Sequence, residues 1–108
     1  MSNEDIISAA EQVVRLLSEK QKTIATAESC TGGMIGQSLT SVPGASAVYG
    51  FGFITYANEA KEQLLGVRHE TLLAHGAVSP ETAREMAEGA RRVSGADIAV
   101  AVTGIAGP

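Results

Sequence analysis

Apolar and polar positions along the chain follow two different periods, and the switches between them mark out the elements. Ile6, Ile7, Ala10, Val13, Val14 and Leu17 recur at helical spacing with charged residues between them, which predicts a first helix with one apolar stripe. Ser2 or Asn3 caps it, Glu4 and Asp5 lie near its positive end, and it ends near Lys20. Thr23 to Ala27 (TIATA) is short and β-branched and reads as a buried strand. Met34, Ile35 and Leu39, among small neighbours, suit a second helix that Ser41-Val42-Pro43-Gly44 stops. The segment Glu28 to Gly33 therefore falls at a strand-to-helix turn.

Ala47 to Tyr56 (AVYGFGFITY) reads as a second strand, with Gly50 and Gly52 allowing a bulge or a close approach. Asn58 caps a short helix that runs to Leu65 and stops at Gly66, and a second short helix covers Glu70 to Ala74. Ser79-Pro80-Glu81 is a strong helix start, followed by the stripe Ala83, Met86, Ala87, Ala90 and Val93 and closed by Gly95. Asp97 to Thr103 (DIAVAVT) is nearly continuous in apolar residues, as expected of a strand buried on both faces.

Helices alternating with short apolar strands predict an α/β layered domain. A length of 108 residues predicts one domain, and there is no internal repeat or linker. About three strands are legible. A buried strand running into Gly104-Ile105-Ala106-Gly107-Pro108 is an unusual close for a domain, so the chain is expected to be part of a longer one.

Composition narrows the class. Trp is absent and aromatics are only 4% of residues, so the core is aliphatic. The net charge of −4 and the lack of any Lys/Arg cluster argue against nucleic-acid or anionic-membrane binding. A small anionic ligand stays possible, because backbone N–H groups hold phosphate without net positive charge. One cysteine, Cys30, forms no internal disulfide and no cysteine-based zinc site. The acidic, amphipathic N-terminus does not look like a signal peptide, and no apolar run reaches membrane-spanning length. A cytoplasmic protein is expected.

Three segments could carry chemistry. Ser29 in Ala27-Glu28-Ser29-Cys30-Thr31-Gly32-Gly33 sits where a nucleophile is both exposed and fixed, with amides nearby to stabilise an oxyanion. The plainer alternative is that Ser29 or Thr31 only caps the helix. Lys61, in the first turn of the helix after Asn58, is a candidate base, because a helix start disfavours its cationic form. Tyr56 could relay a proton or orient it. The alternative is a surface lysine and a core-edge tyrosine. Thr103 to Gly107, after a strand, could bring backbone close to a phosphate or sugar, or be a plain tight loop. Cys30 reads as a small buried residue and Glu28 as a brace for its own loop. His69 and His75 read as surface or packing residues, and no spaced ligand set suggests a metal.

The strings AESCTGG, GFITYANEAK, LLGV, HGAVSPETAREMAEGAR and DIAVAVTGIAGP occur in that order from about Thr23 to Pro108. Together they resemble the C-terminal amidase domain of the CinA (competence/damage-inducible) family. That resemblance implies a three-layer α/β/α sandwich around a mostly parallel or mixed sheet, of which this chain supplies the N-terminal two-thirds or so. It implies an amidohydrolase that converts nicotinamide mononucleotide to nicotinate mononucleotide and ammonia, in pyridine-nucleotide recycling. The family's catalytic serine, tyrosine and lysine match Ser29, Tyr56 and Lys61. Its glycine-rich nucleotide loop matches Thr103, Gly104, Ile105, Ala106 and Gly107, and the amides around Cys30, Thr31, Gly32 and Gly33 are expected to hold the oxyanion. No metal or cofactor is implied, and self-association is expected. The competing readings are a nucleotide-binding module without catalysis and a competence- or damage-related interaction domain.

Overall fold

A computed structural model describes residues 2–105. Helix α1 spans Asn3–Lys20 under a Ser2 cap, in which Ser2 Oγ accepts from Asp5 N–H and Asp5 returns the bond to the Ser2 amide. Strand β1 is Ile24–Glu28, α2 is Met34–Thr40, and β2 is Tyr49–Ile54 after a single 3₁₀ turn at Ala45–Ala47. Helices α3 (Asn58–Leu65), α4 (His69–His75) and α5 (Pro80–Ser94) follow, and then β3 (Ile98–Val102).

The sheet has the order β2-β1-β3, and both pairings are parallel. β1 is therefore the central strand, and all five of its residues are buried. Alternation along β1 sends successive side chains into opposite layers. Ile24 meets α1 and α2 in a core with Ala10, Val14, Leu17 and Leu39. Ala25 and Ala27 meet the other layer, where Leu65, Val67, Met86 and Ala90 are packed. Helices thus cover both faces, as the α/β/α expectation required. Small residues at Ala25, Ala27 and Ala90 let α5 lie close on the sheet, and Leu65 and Met86 fill that layer, with the half-buried Phe53 packed against it.

Several local expectations change. β2 starts at Tyr49 and ends at Ile54, so Thr55 and Tyr56 lie beyond it and Ala47 belongs to the 3₁₀ turn. Both of its glycines act as expected. Gly50 is the extra residue where the register steps from Ile24↔Tyr49 to Ala25↔Phe51. At Gly52 a methyl would strike the Tyr49 hydroxyl and come within 3.0 Å of Thr26 Oγ1. Asn58 is not the cap of α3 but its first residue; Ala57 holds the cap position, with no side-chain bond. β3 is not buried on both faces: Ala99 and Ala101 pack toward α5, whereas Ile98 and Val100 are 43% and 39% exposed. The apolar run signalled a sheet strand, but among the described residues β3 is an edge strand with one face covered.

Candidate active site

Parallel pairing explains why distant residues meet. β1 and β2 run side by side and end together, with Glu28 opposite Ile54. The residues that follow them, Ser29 on one side and Thr55 to Lys61 on the other, emerge at the same carboxyl end of the sheet. β3 ends there too, and the Ser29 amide donates to the Val102 carbonyl at 3.0 Å. Ligand sites of open α/β sheets lie at this end.

Lys61 is 1% exposed and Ser29 7%. The lysine Nζ lies 3.1 Å from Ser29 Oγ, 2.8 Å from the Thr55 carbonyl oxygen and 3.1 Å from the Tyr56 carbonyl oxygen. Two of these partners only accept hydrogen bonds, while the serine hydroxyl both donates and accepts. An ammonium donates to all three. A neutral amine has two hydrogens, and both carbonyls require one, so its lone pair is left facing the Ser29 hydroxyl. The carbonyls thereby orient the amine lone pair toward the Ser29 hydroxyl. Burial pulls the Lys61 pKa below the ordinary lysine value, and the neighbouring Cys30 thiol, when ionised, opposes that shift.

Glu28, immediately before Ser29, is 2% exposed. Its carboxylate accepts from Thr31 Oγ1 at 2.7 Å and from the amides of Ile35 and Gly36 at 2.9 Å each. Burial by itself would raise its pKa. The Thr31 hydroxyl and the amides of Gly36, Ile35 and Gly33 together outweigh that and hold it below the ordinary carboxylate value. Gly33 turns the chain into α2 with φ +107°, where a side chain would strain the backbone and meet Ile54 Cδ1 at 3.0 Å.

The expected residues divide accordingly. Ser29 and Lys61 are brought into contact, with Cys30 half-buried beside them. Tyr56 reaches Lys61 through its carbonyl, while the residue is 70% exposed. Of Gly32 and Gly33, expected as oxyanion donors, Gly32 has its amide engaged by the Ser29 carbonyl at 3.1 Å, while the Gly33 amide makes no hydrogen bond and only helps to hold the Glu28 carboxylate ionised. Thr103 Oγ1 donates to the Ala77 carbonyl at 2.8 Å, so its hydroxyl ties two loops together. Gly104 lies against Cys30: a methyl there would come within 3.2 Å of Cys30 Sγ. Ile105 is 83% exposed, and Ala106 and Gly107 lie outside the described residues. The Thr55 carbonyl had no signal in the sequence, because a backbone oxygen is the same in every residue type.

Elsewhere, a groove of about 420 Å³ between α4 and α5 is lined by Arg68, Thr71, Arg84, Glu85 and others, and by none of the candidate residues. His69 and His75 are surface residues beside Glu62 and Glu81. Among the described residues no three His, Cys, Asp or Glu side chains gather as metal ligands, and no helix is long and apolar enough to cross a membrane.

Residues 6–108 match the family model described as CinA C-terminal domain. The chain is 60% identical over 107 residues to a putative competence-damage inducible protein of Symbiobacterium thermophilum, across 99% of this chain and 25% of that protein. It is 54% identical over 98 residues to a CinA-like protein of Thermotoga maritima, across 91% of this chain and 24% of that protein. Among solved structures, the competence/damage inducible protein CihA of Agrobacterium tumefaciens superposes with a TM-score of 0.94 at 51% identity, over 96% of this chain and 63% of that one. A CinA superfamily protein of Escherichia coli superposes with a TM-score of 0.95 at 36% identity, over 100% of this chain and 63% of that one. The chain thus spans about a quarter of the length of these curated relatives and less than two thirds of these solved ones.

Proposed function

The chain belongs to the CinA C-terminal domain family, and we propose that it acts there as a serine amidohydrolase on the carboxamide of nicotinamide mononucleotide. The observation that carries this reading is the Lys61 amine, 3.1 Å from Ser29 Oγ and held on two carbonyls. Buried lysines so arranged activate hydroxyl nucleophiles, because the neutral amine accepts the hydroxyl proton as the oxygen attacks.

In this reading Ser29 Oγ attacks the carboxamide carbon while its proton passes to Lys61. The tetrahedral oxyanion is held by backbone amides of the Cys30–Thr31 turn. Lys61, with Tyr56 assisting, returns the proton to the departing nitrogen, and ammonia leaves. Water then adds to the ester carbon under the same base, and nicotinate mononucleotide is released as Ser29 regains its proton. The backbone of the Thr103–Gly107 loop approaches the phosphate or ribose. No metal or cofactor takes part, a second copy of the chain is the expected partner, and pyridine-nucleotide recycling places the protein in the cytoplasm.

Ammonia release from nicotinamide mononucleotide, by the parent and by Ser29→Ala, tests the reading. Activity in the parent with loss of at least about a thousandfold in the variant supports it. Equal rates in the two would falsify it. A folded parent that binds the nucleotide without releasing ammonia would favour the binding-module reading. The relatives' names favour a role in competence or damage response, which predicts indifference to Ser29→Ala.

A further inference from the structure

We propose that Glu28 is a positioning residue that closes the start of α2 and so confines the oxyanion hole to the amides of Cys30 and Thr31. This rests on the amidohydrolase reading above and identifies which donors that reaction uses.

The argument is an inventory of N–H groups from Ser29 to Gly36. Ser29 donates to Val102, Gly32 to the Ser29 carbonyl, and Met34 to the Thr31 carbonyl. Ile35 and Gly36 donate to opposite oxygens of the Glu28 carboxylate, and Gly33 is directed at the same group. Among the described residues, the amides of Cys30, Thr31 and Gly33 in this stretch make no hydrogen bond; that of Gly33 still acts on the Glu28 carboxylate, which leaves Cys30 and Thr31 as the open pair. They follow the nucleophile directly, so they lie where charge develops when Ser29 Oγ attacks. Without Glu28, the amides of Ile35 and Gly36 would be open donors as well. Glu28 occupies them with an acceptor supplied by the protein.

Glu28 is also suited to set the shape of the turn. Its backbone is fixed on both sides: β1 pairs with β2 and β3 at this residue, and its carbonyl accepts from the Thr55 amide at 2.9 Å. Its side chain then grips Thr31 Oγ1 on one side of the turn and α2 on the other. Both ends of the Ser29–Gly33 turn are thereby tied to one residue that does not move with the turn. Glu28 acts on the reaction through this geometry.

Glu28→Gln replaces one oxygen by an NH₂ that faces a backbone donor at either Ile35 or Gly36. One amide then loses its acceptor and the turn relaxes. The test uses the full chain, with kcat and KM for ammonia release normalised to folded protein, beside the parent and Ser29→Ala. We expect kcat to fall about tenfold to a hundredfold with KM within about threefold, less than removing a donor outright. A purely structural role predicts fewer folded molecules at unchanged kcat per folded molecule, and that result overturns the proposal. Activity retained in Ser29→Ala would instead overturn the amidohydrolase reading. A second measurement stands without activity and without a variant: amide hydrogen exchange by NMR on the parent. Ile35 and Gly36 should exchange at least about tenfold more slowly than Cys30 and Thr31. Protection of Cys30 and Thr31 equal to that of Ile35 would overturn the assignment of the hole.

Discussion

Gly89→Ala tests how the helical layer positions Lys61. In an exposed helix this exchange stabilises by about 1 kcal/mol. Here a methyl on Gly89 would strike the Leu65 carbonyl oxygen and come within 2.7 Å of its carbonyl carbon and 2.8 Å of its Cα. These are backbone atoms of the last residue of α3, so no rotamer change relieves the conflict. Ordinary carbon contact requires the two helices to part by about 1 Å. Overpacking of this kind costs about 1–3 kcal/mol. The same carbonyl accepts from Arg92 Nη2 at 3.1 Å, and loss of a hydrogen bond to a charged donor adds about 1.5–3 kcal/mol. Net of the helix gain, we expect a loss of about 1.5–5 kcal/mol, read from the midpoint of urea unfolding. Lys61 lies one turn before Leu65 on α3. A shift of that size stretches its 3.1 Å contact with Ser29 Oγ beyond hydrogen-bonding distance. The kcat for ammonia release should fall about a hundredfold. A variant more stable than its parent by the exposed-helix value, with unchanged kcat, would refute the close approach of α3 to α5 and its link to the base.

The protonation of Lys61 gives a signed pH dependence. Its folded pKa is lowered from 10.5, so below that lowered value the folded state holds an ammonium in a buried site, and stability rises with pH from there toward 10.5 as the unfolded state binds more protons. Urea unfolding across that window should show the slope in the parent and lose it in Lys61→Met, while kcat in the parent rises through the same lowered pKa. A flat stability profile in the parent would contradict the burial argument. Gly52→Ala should destabilise by about 1–3 kcal/mol, because its methyl meets the Tyr49 hydroxyl, which shares a 2.6 Å hydrogen bond with Thr26 Oγ1. Adding Tyr49→Phe removes that oxygen, so the double variant should lose less than the sum of the singles; strict additivity in the unfolding free energies would argue against the contact.

The helices were legible because their signals are local. Ser2 capping α1, Ser79-Pro80 opening α5 and Gly66 and Gly95 closing α3 and α5 all act within a few residues. The two glycines of β2 were legible for the same reason. Asn58 misled because it fits a cap, yet Ala57 takes the extended conformation that precedes α3. β3 misled because an apolar run reports that a strand joins a sheet, and neighbours distant in sequence decide which of its faces are covered. Ser29 and Lys61 were visible as residue types at element ends, but their meeting across 32 residues follows from the parallel pairing of β1 with β2. Sequence by itself determined the order and kind of the elements, a mainly aliphatic core, and Ser29 and Lys61 as candidates. Tertiary structure alone decided that Lys61 Nζ hangs on the Thr55 and Tyr56 carbonyls and that Glu28 takes amides at the start of α2. The reason is that backbone donors and acceptors are alike at almost every residue, so only the fold selects which of them face the chemistry.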